Sequence, residues 1–246
     1  MRRSALATLA ALAALAGGPE AAGAVAPEVE TMVVGRGAVL RAPSELPARA
    51  TRVRAGGRRC AVAAGTPLAA LEATRRTGGP AFRLRDYGSC SASARDAGQL
   101  FVFQIGPDRN TGTDGWVYKV DGRAGSTGGG DPRGPFGDGR RLRSGQRVLW
   151  FYCRMGPAGC QGTLGLSLEP ASAAPGDPVI ARVQAYDDRG TGRPVPGATV
   201  EVGGAQASTD AGGVASLSAP AVPGAYPVSA SAPDLVPAFP VELAVR

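Results

Sequence analysis

The 246 residues contain no histidine, and this limits the chemistry that the side chains can perform. Ser-His-Asp and Cys-His catalysis, histidine-based zinc sites and imidazole acid–base catalysis all require that side chain. A carboxylate pair remains compatible with glycoside hydrolysis. However, most acidic residues lie beside glycine, where turn chemistry explains them (Asp114, Asp121, Asp131, Asp138 and Asp210). We therefore expect a protein that is not an enzyme, with no catalytic residue, no metal site and no cofactor.

Four cysteines carry the remaining covalent chemistry, and they allow three disulfide pairings (Cys60, Cys90, Cys153 and Cys160). Cys153 and Cys160 bracket the turn-rich stretch RMGPAG, which a short-loop disulfide can close. Cys60 and Cys90 are then left for each other. A zinc site is the alternative, but the chain has neither a histidine nor a Cys-x-x-Cys motif. We therefore expect two disulfides and an oxidising compartment.

The stretch GTDGWVYKVDGR has aromatic side chains at alternating positions, which is the spacing of a strand with an aromatic face. Trp116 and Tyr118 share that face, and Trp150 and Tyr152 share a face of VLWFYC. Two interpretations stay open. The rings pack a small core with their polar atoms at its edge, or they form a stacking surface for a planar ligand or a sugar. In the second case, Arg123 adds a contact to an anionic group.

A hairpin, a helix and a series of strands must position these rings. ATRVRAGGRRCAV alternates around a Gly-Gly turn and predicts the hairpin. GTPLAALEATRRTGG predicts the helix, with Thr66 as N-cap and Pro67 at the first helical position. Four strand-like stretches follow: AFRLRDYGSC, QLFVFQIG, GWVYKVDG and QRVLWFYC. This order predicts an α+β domain over residues 49–163, with one sheet wrapped over one helix, while residues 27–48 are a linker or an extra strand.

The stretches GTPLAAL, GWVYKVDGR and LRSGQRVLWFYC resemble the transcobalamin-like C-terminal domain family. The resemblance covers roughly residues 50–155 and implies a β-grasp fold. In the cobalamin carriers, the comparable domain forms one wall of the vitamin site. The resemblance therefore implies a flat ligand at Trp116, Tyr118, Trp150 and Tyr152. The large helical domain that supplies the other wall in those carriers has no counterpart in this sequence.

Residues 164–246 predict a second domain of short strands. GDPVIARVQAYDD and GATVEVGG alternate apolar and polar residues, and ASTDAGGVASLSAP predicts two short strands around a turn. The succession GATVEV, TDAGGVASL and GAYPVSA resembles bacterial Ig-like and carboxypeptidase-regulatory-like modules. This resemblance implies an all-β Ig-like sandwich that acts as a spacer or an adhesive domain. Some relatives of such modules bind carbohydrate.

The stretch MRRSALATLAALAALAGGPEAAGAVAPE predicts a secretory signal peptide over residues 1–26. It has a pair of arginines, a short Ala/Leu run and a zone of small residues in which cleavage follows Ala24 or Ala26. The apolar run is too short for a permanent membrane span, so we expect no stable membrane anchor. The predicted location is secreted or extracellular.

The net charge of +7 comes almost entirely from arginine, since Lys119 is the single lysine among 27 basic residues. The arginines are scattered along the sequence in nothing longer than pairs, whereas nucleic-acid surfaces cluster basic side chains with aromatic ones. We therefore expect no nucleic-acid partner and a weak attraction to an acidic cell envelope.

These observations predict a secreted, monomeric, non-enzymatic binding or adhesion protein whose ligand is a small molecule or a cell-surface group. The predicted fold class is an α+β β-grasp domain followed by an all-β Ig-like sandwich. Two alternatives remain for function. One is the capture of a cobalamin-like or other flat ligand on the aromatic face, and the other is carbohydrate binding by the C-terminal sandwich.

Overall fold

The computed structural model describes residues 25–246, so almost all of the predicted signal peptide (1–26) lies outside the described residues. Strands account for 48% of the structure and helices for 7%. Among the described residues, no helix has both the length and the apolar character needed to cross a membrane.

The first half of the described chain, residues 25–162, has ten strands and one α-helix, together with a 3-10 helix at Ala94–Gln99. The bounds of these elements are β1 (Glu28–Val34), β2 (Val39–Pro47), β3 (Thr51–Ala55), β4 (Arg58–Val62), α1 (Pro67–Arg76), β5 (Phe82–Asp86), β6 (Leu100–Ile105), β7 (Asp108–Arg109), β8 (Gly115–Val120), β9 (Arg123–Ala124) and β10 (Arg147–Cys153).

The first sheet has the strand order β2-β1-β10-β8-β9, with β1 and β10 parallel and its other pairs antiparallel. Residues 27–48, for which the sequence left a linker or an extra strand open, therefore contribute two strands. Residues 31–34 of β1 and residues 148–153 of β10 are buried on both faces, because this sheet is covered on both sides.

The second sheet has the strand order β4-β3-β5-β6-β7, and its inner face shares a core with the first sheet and the helix α1. The hydroxyl of Thr66 caps the helix by accepting a hydrogen bond from the Ala69 amide at 3.3 Å, and Pro67 occupies the first turn. Leu68 and Leu71 are fully buried between the sheets. The helix thus supplies the apolar side chains at the centre of the core of the first half.

The second half, residues 163–246, contains only strands as regular elements. Their bounds are β11 (Thr163–Glu169), β12 (Ser172–Ala173), β13 (Pro178–Tyr186), β14 (Gly192–Pro194), β15 (Thr199–Val202), β16 (Ala205–Ser208), β17 (Val214–Ser218), β18 (Gly224–Ser231) and β19 (Val241–Val245). One sheet joins β11, β13 and β14, with β17 also paired to β13, and the other has the order β12-β19-β18-β15-β16. Val183, Val200 and Leu243 lie in the core that these two sheets share.

The predicted fold class, an α+β β-grasp domain followed by an Ig-like sandwich, is wrong. The structure is mostly β, and two five-stranded sheets enclose the ten-residue helix in place of one sheet wrapped over it. The two halves also share a hydrophobic cluster. In it, Val236 and Phe239 of the second half pack with Met32, Leu149 and Phe151 of the first sheet. Alternation along a strand indicates which residues are buried, but it does not indicate which strands share a sheet or what covers the second face.

Candidate functional site

The structure brings the four predicted aromatic site residues together inside the core of the first half. Trp116 packs edge-on against Tyr152, with ring centroids 5.8 Å apart, and Tyr118 packs against Trp150 at 5.2 Å. None of the four side chains belongs to a residue that is more than 6% exposed. The aromatic face is therefore turned toward the helix α1 and filled by protein.

The polar atoms of these rings are also satisfied within the protein, mostly by backbone oxygens. Each ring donates one hydrogen bond to a backbone carbonyl oxygen. The Nε1 atoms of Trp116 and Trp150 donate to Asp108 at 2.8 Å and to Pro67 at 3.2 Å, and the hydroxyls of Tyr118 and Tyr152 donate to Thr127 at 2.9 Å and to Arg109 at 3.1 Å. Burial raises the pKa of Tyr118, so its hydroxyl stays protonated and acts as a donor. This arrangement resembles a polar-tipped core more than an open stacking surface.

A glycine-rich loop, residues 125–146, covers one side of these rings. A Cβ atom on Gly125 would overlap the Tyr118 ring, and a Cβ atom on Gly129 would lie 2.8 Å from the Trp150 ring. The glycines thus allow the backbone to lie directly on the aromatic side chains. Arg123 is exposed, and its guanidinium lies 4.4 Å from the ring centre of Phe136, which belongs to the loop. Arg123 therefore does not join the four aromatic residues in one site.

The two predicted disulfides are present, as Cys60–Cys90 and Cys153–Cys160. The first connects β4 to the segment before the 3-10 helix, and the second closes the turn that follows β10. No free cysteine remains in the described part of the chain. Two disulfides fit an oxidising compartment, and they remove the thiols from any nucleophilic or metal-binding role.

The outer side of the second sheet carries a cluster of exposed basic residues, which we call the arginine face. Inner positions of this sheet, such as Val53, Cys60 and Leu84, are buried in the core, so the alternate positions point to solvent. The arginine face consists of Arg52, Arg54, Arg59, Arg83, Arg85 and Arg109, with Phe101, Phe103 and Gln104 between them. The fold thus gathers arginines from four strands that are separate in the sequence.

Strand register places part of this cluster in a row that crosses all five strands. Arg59 pairs with Arg54, and the parallel pairing of Ala55 with Leu84 sets Arg54 beside Arg83. Across the remaining strands, Arg83 pairs with Gln104, which pairs with Arg109. With about 4.8 Å between neighbouring strands, the row extends over about 19 Å.

The charges of the arginine face have little compensation from the protein. No outward position on these five strands holds an acidic residue, and none of the six arginines forms a salt bridge within the described residues. The guanidinium groups of Arg85 and Arg109 instead lie 5.2 Å and 5.3 Å from the Phe103 ring centre. Tyr87 and Phe101 pack together beside them, with 5.9 Å between ring centres. The result is a continuous cationic surface with aromatic side chains among the charges.

The arginine face is not visible in the sequence as a run of consecutive charges. The relevant signal is alternation, in which TRVRA and FRLRD each place two arginines on the same side of a strand. Alternation alone does not show that the two strands are neighbours. Only the sheet order β4-β3-β5-β6-β7 converts the scattered pairs into a row.

Comparisons with known proteins add no family to this description, because no family model, curated protein or solved structure matches the chain. The resemblances to transcobalamin-like and Ig-like modules stay predictions.

Proposed function

We propose that this protein is an exported, non-enzymatic adhesion protein that binds an anionic polysaccharide through the arginine face. The observation that supports this function best is the row of four arginines and Gln104 that crosses five strands. Like charges placed directly opposite each other, as in the Arg54–Arg59 pair, destabilise a sheet. A bound polyanion relieves that repulsion, and a row about 19 Å long offers it several contacts at once.

The compartment supports a cell-surface or extracellular partner. Two disulfides are expected in exported proteins and are rare in reducing compartments. The predicted signal peptide agrees with export. Polymers that bear repeated carboxylate or sulfate groups are partners for arginine, because its planar guanidinium donates two parallel hydrogen bonds to such groups.

The expected compartment, and not the aromatic residues, favours a polysaccharide over a nucleic acid. Base stacking requires open aromatic faces. Phe103 is partly buried with two guanidinium groups close to its ring, whereas Tyr87 and Phe101 are 64% and 40% exposed. Tyr87 and Phe101 can stack on a base as well as on a sugar ring, so the preference for a polysaccharide rests on the export that the disulfides and the signal peptide support. The capture of flat molecules by the four core rings is less well supported, since protein atoms already surround them.

A pair of matched polymers tests this function. We expect purified protein to bind dextran sulfate and not uncharged dextran of the same length, with an affinity that falls as salt concentration rises. The double variant Arg54→Glu/Arg83→Glu should bind at least about 30-fold more weakly, because each basic residue near an anionic surface contributes about 1 kcal/mol. Binding is measured by fluorescence anisotropy with labelled polymer.

Arg189→Glu/Arg193→Glu is the matched control, because it makes the same charge change on exposed residues of the second half. If both double variants lose affinity equally, the attraction reflects net charge and the arginine face is not the site. Tighter binding of single-stranded DNA than of dextran sulfate at equal salt concentration would replace the polysaccharide by a nucleic acid as the partner.

A further inference from the structure

A cavity of about 360 Å³ lies where the two halves of the chain meet, a volume at the lower end of the range of small-molecule sites. One wall is the outer side of the first sheet, at Arg147 and Leu149 on β10, and the opposite wall is the outer side of the β11–β13 pair. This cavity is separate from the arginine face, and nothing in the proposed function uses it.

The floor of the cavity is apolar and comes from both halves. Its apolar side chains are Leu149, Tyr186 and Phe239, whereas the side chains of Leu164 and Leu166 pack in the core of the second half. Gly165 lies between the two leucines of β11, and a Cβ atom there would lie 2.5 Å from the Tyr186 ring. The absence of a side chain at this position lets Tyr186 pack against the strand and keeps the space above it open.

One edge of the cavity presents polar groups from neighbouring strands. Ser167 pairs with Arg182, and Gly165 pairs with Gln184, so the three polar side chains are on the same side of the β11–β13 pair. The nearest acid to the Arg182 guanidinium is Glu169, at 4.0 Å, and both side chains are more than half exposed. A contact of this kind is weak and leaves donors of Arg182 available.

The other charged groups around the cavity already have partners. The Lys119 ammonium donates to the carbonyl oxygens of Tyr186 and Asp187. Asp121 accepts hydrogen bonds from the Gln146 side chain and the Arg147 amide, and the Arg147 guanidinium lies 2.8 Å from Glu30. Arg182 is therefore the cation at this cavity that is most available to a ligand.

We propose that this cavity binds a small amphiphilic carboxylate, with an apolar body on the floor of Leu149, Tyr186 and Phe239 and its anionic head at Arg182. Burial of the apolar body supplies affinity, and the charge-assisted hydrogen bonds from the guanidinium select an anion. Ser167 and Gln184 stand beside Arg182 as further hydrogen-bonding groups for the head.

Three ligands with the same eight-carbon chain test the head group: octanoate, octanol and octylammonium. We expect octanoate to bind at least tenfold more tightly than the other two in calorimetric titrations. Arg182→Met should weaken octanoate binding about tenfold and leave octanol binding unchanged. Arg193→Met removes an exposed arginine from the neighbouring strand β14 and should change neither.

A second variant, Ser167→Trp, fills the cavity from its exposed edge and should abolish octanoate binding while the far-UV circular dichroism stays unchanged. The inference is overturned if octanoate does not bind, if the three head groups bind equally, or if Ser167→Trp binds like the wild type. Dextran sulfate binding, measured on the same variants, should stay intact, so a failure here is distinguishable from a failure of the proposed function.

Discussion

The ammonium group of Lys119 joins the two halves of the chain, and we predict that its removal destabilises the protein. Lys119 lies on β8 and is 1% exposed. Its Nζ lies 3.0 Å from the carbonyl oxygen of Tyr186, 2.9 Å from that of Asp187 and 3.5 Å from Oδ1 of Asp188. These acceptors all belong to the second half, so one buried cation holds a segment of that half against the first sheet.

Two opposing contributions set the effect of Lys119→Met, which keeps an unbranched side chain, shortens it by one atom and removes the charge. Burial lowers the pKa of Lys119 against the attraction of Asp188, so methionine removes a desolvation cost. It also leaves two carbonyl oxygens without their donor, at about 1 kcal/mol or more each. Breaking a fully buried ion pair costs about 3–5 kcal/mol. Because the Asp188 side chain is 36% exposed, its ion pair with Lys119 is only partly buried, and we expect a net loss of about 2 kcal/mol.

Urea titration, followed by tryptophan fluorescence and by far-UV circular dichroism, measures this loss. Both tryptophans lie in the first half, so fluorescence reports on that half and circular dichroism on both. We expect the two transitions to coincide in the wild type and to separate in Lys119→Met. The exposed Arg189→Met is the control and should change the free energy of unfolding by less than about 0.5 kcal/mol. A Lys119→Met protein as stable as the wild type would show that desolvation dominates and that this reasoning is wrong.

Three further outcomes are expected. In the native protein, Lys119 should resist an amine-reactive acetylating reagent that modifies it fully in denaturant, as read by peptide mass spectrometry; equal modification in both states would contradict its burial. Gly125→Val should lower the unfolding free energy by about 1–3 kcal/mol through overlap with the ring beneath the loop, whereas Gly37→Ala, in open space, should not. The hydrogen bond from the Arg133 side chain lowers the pKa of Asp131, so its stabilisation is present above about pH 4 and lost as the pH falls further. An acid titration in which Asp131→Asn loses stability as steeply as the wild type would contradict this sign.

The local patterns of the sequence predict several features of the first half correctly. Thr66 and Pro67 mark the start of a helix, and the alternation in GWVYKV predicts that Trp116 and Tyr118 share a face, as they do. The spacing of Cys153 and Cys160 predicts their disulfide. These features depend on contacts between residues that are close in the chain, where backbone geometry alone sets the neighbours.

The assembly of strands into sheets was not predictable from the same patterns. β1 and β10 are parallel neighbours although Glu30 and Arg147 are 117 positions apart. The row from Arg59 to Arg109 also depends on strand order. The arginine face was therefore not predictable from patterns within single strands. Burial of the four aromatic rings depends on the helix and on the glycine-rich loop that cover them. Alternation along a strand does not show that the helix or the loop packs on the rings.

The central pairing of β1 with β10 fixes an order of assembly. Closing a loop of this length costs about 4 kcal/mol of chain entropy before any contact compensates for it. The first sheet therefore cannot be completed until the last strand of the first half is available. The same two strands supply Met32 and Phe151, against which Val236 and Phe239 of the second half pack. The surface against which the second half packs thus forms only when β10 has paired with β1. Completion of the first sheet and docking of the second half therefore both depend on β10.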